Sequence, residues 1–278
     1  MQLPKFEPPR MFGFGHSEID LIVVGAGGTG GYVLQHIARL LAHHRWGQSV
    51  RCIAIDGDIV EEKNVGRQLF SSAEIGRNKA QTLAHRFNRA LGLSMAAIPE
   101  MASVEMLSDL CRYKTDRVAI VVGCVDTTAA RAMIHQSLVG KTLWIDSGNA
   151  DTSGQVVIGS ARHKSDMQGV LGSFCSMLPA PSLLYPDLIK PAPQLQPTND
   201  PRNCAIDLIE NVQSMMINSA MAMIVSEYLS TLLTKRGITR YETSIDLETL
   251  AMSSKTITAT NLARSLDVET DFLTKKGR

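Results

Sequence analysis

Carboxylates, cations and amides follow one another closely between positions 56 and 79: Asp56, Asp58, Asn64, Arg67, Gln68 and Lys79. Upstream, the run Gly25-Ala26-Gly27-Gly28-Thr29-Gly30-Gly31 breaks an apolar stretch, and Asp126 closes another further along. A glycine turn after a strand lets a phosphate reach the backbone N–H groups at the next helix N-terminus. Gly25, Gly27, Gly28 and Gly30 are therefore read as nucleotide-facing. An acid such as Asp56 at the end of the second strand can accept ribose hydroxyls, which suits NAD and ATP alike. The cations separate the two. A hydride-transfer enzyme holds its pyrophosphate on the helix N-terminus, whereas a triphosphate being split needs cations on the leaving oxygens. Arg67 and Lys79 suit that work, although arginine and lysine more often stand as solvated surface charges. Asp126 is placed to hold Mg²⁺ between phosphates. An aspartate there is also a common helix cap, a role that Thr127 and Thr128 could share.

These residues need a scaffold, and the apolar pattern supplies one. Leu21-Ile22-Val23-Val24 and Cys52-Ile53-Ala54-Ile55 read as buried strands around a helix over 29–44, a βαβ unit with a right-handed crossover. A helix is expected within 72–91, with Ser71 and Glu74 at capping-box spacing. A strand over 94–98, a helix over 103–113, a strand over 117–122 and a helix over 128–138 follow. Strands over 142–146 and 154–160 complete an α/β doubly wound, Rossmann-like, mostly parallel sheet. Seven of the eleven prolines then fall between Pro179 and Pro201, a stretch that cannot be regular throughout. A long Met-rich helix over 205–235 is apolar on most faces and is read as buried. Strands over 238–246 and 255–258 precede a charged end. The expected organisation is an arm over 1–18, one domain over 19–262 with a crossover loop at about 162–204, and a tail over 263–278.

Composition bounds the function. The formal net charge is +1 and aromatics are 5%, which gives no electrostatic or stacking case for nucleic acid. The apolar stretch between Glu210 and Glu227 holds Asn211, Gln213, Ser214, Asn218 and Ser219, so no membrane span is expected. The cysteines at 52, 111, 124, 175 and 204 form no CxxC pair, so no zinc site is expected and a cytoplasmic setting fits best. The seven histidines show no ligand spacing.

Taken together, Gly25-Ala26-Gly27-Gly28-Thr29-Gly30, Asp56-Gly57-Asp58 with Asn64, Arg67, Gln68 and Phe70, Ile75-Gly76 with Lys79-Ala80, and Asp126 with Arg131 resemble the ThiF/MoeB/HesA family of E1-like activating enzymes. The likeness runs over roughly 20–160 and more loosely over 200–235, and is nearest to the ThiF-like branch of the plasmid-associated PRTRC system. It implies E1-like topology, a homodimer, and use of Mg-ATP to adenylate the C-terminal glycine carboxylate of a small ubiquitin-like protein, releasing pyrophosphate. By the same resemblance Asp56 takes the ribose and Asp126 the Mg²⁺. Asn64, Arg67, Gln68 and Lys79 surround the phosphates, and Arg10 from the arm reaches a partner's site. Cys204, at the end of the crossover loop, matches the position where some relatives carry an acyl-accepting cysteine, with Cys175 a second choice. Thr127 replaces the asparagine usual after the metal-binding aspartate. Two other readings stay open: an NAD-dependent oxidoreductase, and an E1-like module that binds without turnover.

Overall fold

The computed structural model describes residues 7–13, 18–112, 117–140, 142–190, 215–235 and 237–275. Its centre is an eight-stranded sheet of β1 (Glu18–Val24), β2 (Val50–Ile55), β3 (Ala96–Ile98), β4 (Arg117–Gly123), β5 (Leu143–Asn149), β6 (Ser153–Gly159), β7 (Arg240–Asp246) and β8 (Ala251–Thr256). The spatial order is β3-β2-β1-β4-β5-β6-β7-β8. Pairs from β3 through to β5 are parallel, and those from β5 to β8 antiparallel. The order reverses between β1 and β4, and the crevice at their carboxyl ends is where such sheets take ligands.

β1 is buried from Ile19 to Val24 because helices cover both faces. Leu21 and Val23 join a core built with α1 (Gly28–His44), α2 (Lys79–Leu91) and α6 (Met215–Thr234). Ile22 and Val24 point the other way, toward α3 (Val104–Cys111) and α4 (Thr128–Ser137). Short helical turns α5 (Pro181–Leu184), α7 (Ala259–Leu266) and α8 (Thr270–Thr274) complete the shell, and Leu266 and Leu273 are buried in the first core. The Met-rich stretch Met216–Thr234 is long and apolar enough to cross a membrane by length and composition. Here it packs on α1 and on β5 and β6.

The helix expected within 72–91 is present, with its start now placed, and two strand bounds need correction. Ser71 and Glu74 do form a reciprocal capping box, but it closes a single turn over Ser72–Glu74. The helix itself starts at Lys79, where the Asn78 side chain accepts the Gln81 N–H at 3.0 Å. Gly76, at φ +84°, breaks the two apart. β5 runs three residues beyond the apolar run, to Asn149, because its polar end still pairs with β6 through Asn149 and Gly154. The last strand is Ala251–Thr256 and not 255–258; it is an exposed edge with no apolar alternation to reveal it. The first part of the long helix expected from 205 lies outside the described residues.

Candidate functional site

The glycine turn follows β1 directly. Gly25 has φ +92°, and a side chain there would stand 2.4 Å from the Cys124 carbonyl oxygen. That proximity welds the turn to the end of β4, where the Cys124 N–H also donates to the Val24 carbonyl at 2.9 Å. Gly27 caps α1 with no side-chain bond. The first N–H groups of α1 therefore have no intrahelical partner and face the cleft as donors.

Asp56 ends β2. One of its oxygens accepts the Ala26 N–H at 2.6 Å and the other the Asp58 N–H at 2.8 Å, so it ties the glycine turn to its own loop. Burial pushes its carboxyl above the ordinary value, against the pull of those two N–H groups and of Lys79. Asn78 donates to the carbonyls of Asp56 at 2.7 Å and Asp58 at 3.1 Å, and so starts α2 beside the acidic pair. Lys79 follows; it is buried, and its ammonium lies 2.9 Å from the Asp58 carboxylate.

The polar segment between these residues is a closed loop. Val60 and Gly76 bond its two limbs, through the Val60 N–H to Arg77 and the Gly76 N–H to Val60. Arg86 of α2 holds it from below, through Glu74 at 2.6 Å and the Leu69 carbonyl at 2.8 Å. Arg67 and Gln68 on this loop reach the cleft. Gln68 packs against Gly27, and its side-chain oxygen is buried without a hydrogen-bond partner among the described residues.

From the other side come the residues after β4 and β5. Thr127, not Asp126, caps α4, its hydroxyl accepting the Ala130 N–H at 3.2 Å. The Asp126 carboxylate is left exposed to the cleft, with no ion pair among the described residues. Arg131 is buried one turn on. It bonds Asp146 at 3.1 Å and the Asp126 carbonyl at 3.3 Å, which fixes the loop carrying that aspartate. Burial pushes Asp146 up to about 6, with Arg131 pulling the other way.

The result is one cleft of about 1000 Å³ at the sheet's switch point. It brings together Gly25, Gly27, Gly28, Asp56, Asp58, Arg67, Gln68, Lys79 and Asp126. Three expected residues, Gly30, Asn64 and Arg10, do not line it. Gly30 is a packing residue, since a Cβ there would lie 1.9 Å from the Gly25 carbonyl oxygen. Asn64 is buried and accepts the Glu61 N–H at 2.9 Å, so it shapes the loop that presents Arg67. Arg10 lies against the segment before α7, its N–H donating to Ile257 at 2.7 Å, and is not a wall of this cleft. Cys204 lies outside the described residues. Cys175 is buried, its thiol donating to the Met177 carbonyl at 3.0 Å, and burial pushes it up to about 12, so the second-choice nucleophile is a core residue. Cys124 lines the cleft, but burial likewise pushes it up to about 12.

Sequence reading missed a wall of the site. Ser147 and Asn149 on the polar end of β5, and Asn218 on α6, all line the cleft. The signal for Asn218 was the one amide within Met215–Thr234, among mostly apolar residues.

A model of the ThiF family matches residues 16–266. The chain belongs to the ThiF family. Among solved structures, this ThiF-family chain is similar to PaaA, at 17% identity and a TM-score of 0.54, covering 87% of this chain and 64% of that one. It is also similar to E. coli MccB with AMPCPP and MccA, at 15% identity and a TM-score of 0.55, covering 86% and 64%. E. coli MccB with ATP gives 14% identity and a TM-score of 0.53, covering 87% and 65%. At such identities the likeness speaks for the fold, and the ThiF chain spans about 64% of the length of these relatives. No curated protein sequence matches it.

Proposed function

We propose that this ThiF-family chain is an ATP-dependent adenylyltransferase of E1-like type. The single observation carrying the reading is the convergence of Asp56, Arg67, Lys79 and Asp126 on one cleft beside an uncapped helix N-terminus. An acid for the ribose, cations for a triphosphate and a separate carboxylate for a metal are more than hydride transfer requires.

In this reading the first turn of α1 and Gln68 seat the phosphates, and Asp56 orients the sugar. Lys79 and Arg67 stabilise charge on departing pyrophosphate while a carboxylate oxygen attacks the α-phosphorus. Asp126 fits Mg²⁺, because Thr127 has taken over the capping that would otherwise occupy it. Bound Mg²⁺ would supply charge neutralisation across the phosphate oxygens. Arg131 keeps the Asp126 loop in place, and Asp58 holds the Lys79 ammonium at the cleft wall.

The acyl substrate proposed is the C-terminal carboxylate of a small ubiquitin-like protein, with acyl transfer to Cys204 as a following step. MccB has been solved with ATP and with MccA, which supports a peptide or protein carboxylate as the substrate class. A homodimer, with Arg10 of one arm serving the other copy, a cytoplasmic setting and membership of the PRTRC branch complete the reading. ATP–pyrophosphate exchange in the presence of a small ubiquitin-fold protein with a C-terminal glycine tests it. Exchange unchanged in Arg67→Ala and Asp126→Ala would overturn the assignments.

A further inference from the structure

Asn218 lies near the start of α6 between Ile217 and Ser219, and is only 8% exposed. An amide buried in an apolar helix needs partners. Its oxygen has two: the Thr29 hydroxyl donates at 3.0 Å and the Asn149 amide at 3.5 Å. Both donors occupy the oxygen and fix the amide plane. The amide lies over the first residue of α1, its nitrogen 2.7 Å and its oxygen 3.1 Å from where a Gly28 side chain would begin. It donates to no other group among the described residues. The backbone donors of the first α1 turn open on the same point, with no side-chain cap. On the same cleft wall, the Ser147 hydroxyl is buried without a hydrogen-bond partner among the described residues.

We infer that Asn218 contacts phosphate: its amide nitrogen donates a hydrogen bond to a phosphoryl oxygen of a nucleotide seated on the α1 N-terminus. Thr29 and Asn149 are positioning residues that hold the amide in that orientation. The inference rests on reading the cleft as a nucleotide site, and it makes the helix after the crossover segment a wall of that site. A phosphoryl oxygen accepts and never donates, so the nitrogen is the end of the amide that must face it. Aspartate has the same shape but presents only acceptors and a negative charge there.

The test is calorimetric binding of ATP, AMP and adenosine, without a protein substrate, to the full chain and to Asn218→Asp and Asn218→Ala. For Asn218→Ala the expected loss is about tenfold in ATP and AMP affinity, as for one hydrogen bond to a charged group. Asn218→Asp should lose about 100-fold or more, with adenosine affinity unchanged in both variants. Melting temperatures check that each variant is folded; the alanine variant, which introduces no buried charge, serves if the aspartate variant is not. Equal ATP affinity in a folded variant and the wild type overturns the role of Asn218 alone. So does an equal loss for adenosine, which would mark a structural part only. A wild-type chain that binds none of the three overturns the nucleotide reading and this inference together.

Discussion

The Lys79 ammonium lies 2.9 Å from the Asp58 carboxylate, and Lys79 is buried while Asp58 is exposed. The pair is therefore a holder for a cation at the cleft wall more than a source of stability, since half-exposed pairs contribute about 1 kcal/mol or less. Replacing Lys79 by Ala is expected to lower exchange about 100-fold or more while leaving the melting temperature nearly unchanged. Asp58→Asn, which only loosens the ammonium, should cost about tenfold. Rates measured at saturating ATP separate the two.

Thr127→Ala removes the cap of α4 and leaves the Ala130 N–H without its partner. The expected cost is about 1 kcal/mol in urea unfolding. Asp126→Asn should do the reverse, leaving stability intact and abolishing Mg²⁺-dependent exchange. If Asp126→Asn destabilised and Thr127→Ala did not, the assignment of cap and metal ligand would be exchanged.

Gly30→Ala is expected to destabilise by about 3 kcal/mol or more, because the added methyl meets the Gly25 carbonyl oxygen at 1.9 Å. The Gly25 backbone on one side and the Cys124 Cβ on the other leave no flexible group to give way. The loss should appear in denaturant unfolding without any ligand, which marks Gly30 as a packing glycine.

Asp20, at the opposite end of the sheet, accepts from Arg51 at 2.6 and 2.7 Å and from Arg117 at 2.9 Å. Burial alone would raise its carboxyl, but these guanidinium bonds overcome that and hold it below 3.8. A depressed folded value means the stabilisation is present above 3.8 and is lost as pH falls through the folded value. Asp20→Asn should cost about 2 kcal/mol at neutral pH and flatten the fall in stability below about pH 4. Unfolding curves across that range read both effects.

How much of this was legible in sequence follows from what each signal depends on. β1, β2 and β4 are buried on both faces, so their continuous aliphatic runs announce them. The glycine turn and Asp56 carry their meaning locally. Gly30 and Asn64 were read as ligand residues because spacing cannot tell a glycine facing phosphate from one facing its neighbour's carbonyl. The Ser71–Glu74 box was legible as a cap, but only the left-handed Gly76 shows that it closes a turn and not the helix. The polar end of β5 and the Asn218 wall depend on pairing across long stretches of chain, and no window of residues displays that.

ATP–pyrophosphate exchange, run with a small ubiquitin-fold protein and with that protein lacking its terminal glycine, tests the adenylation reading most directly. Exchange that requires Mg²⁺ and the intact terminus, and falls about 100-fold or more in Lys79→Ala and Asp126→Asn, is the expected result. Tight NAD(H) binding with no ATP binding and no exchange would contradict it.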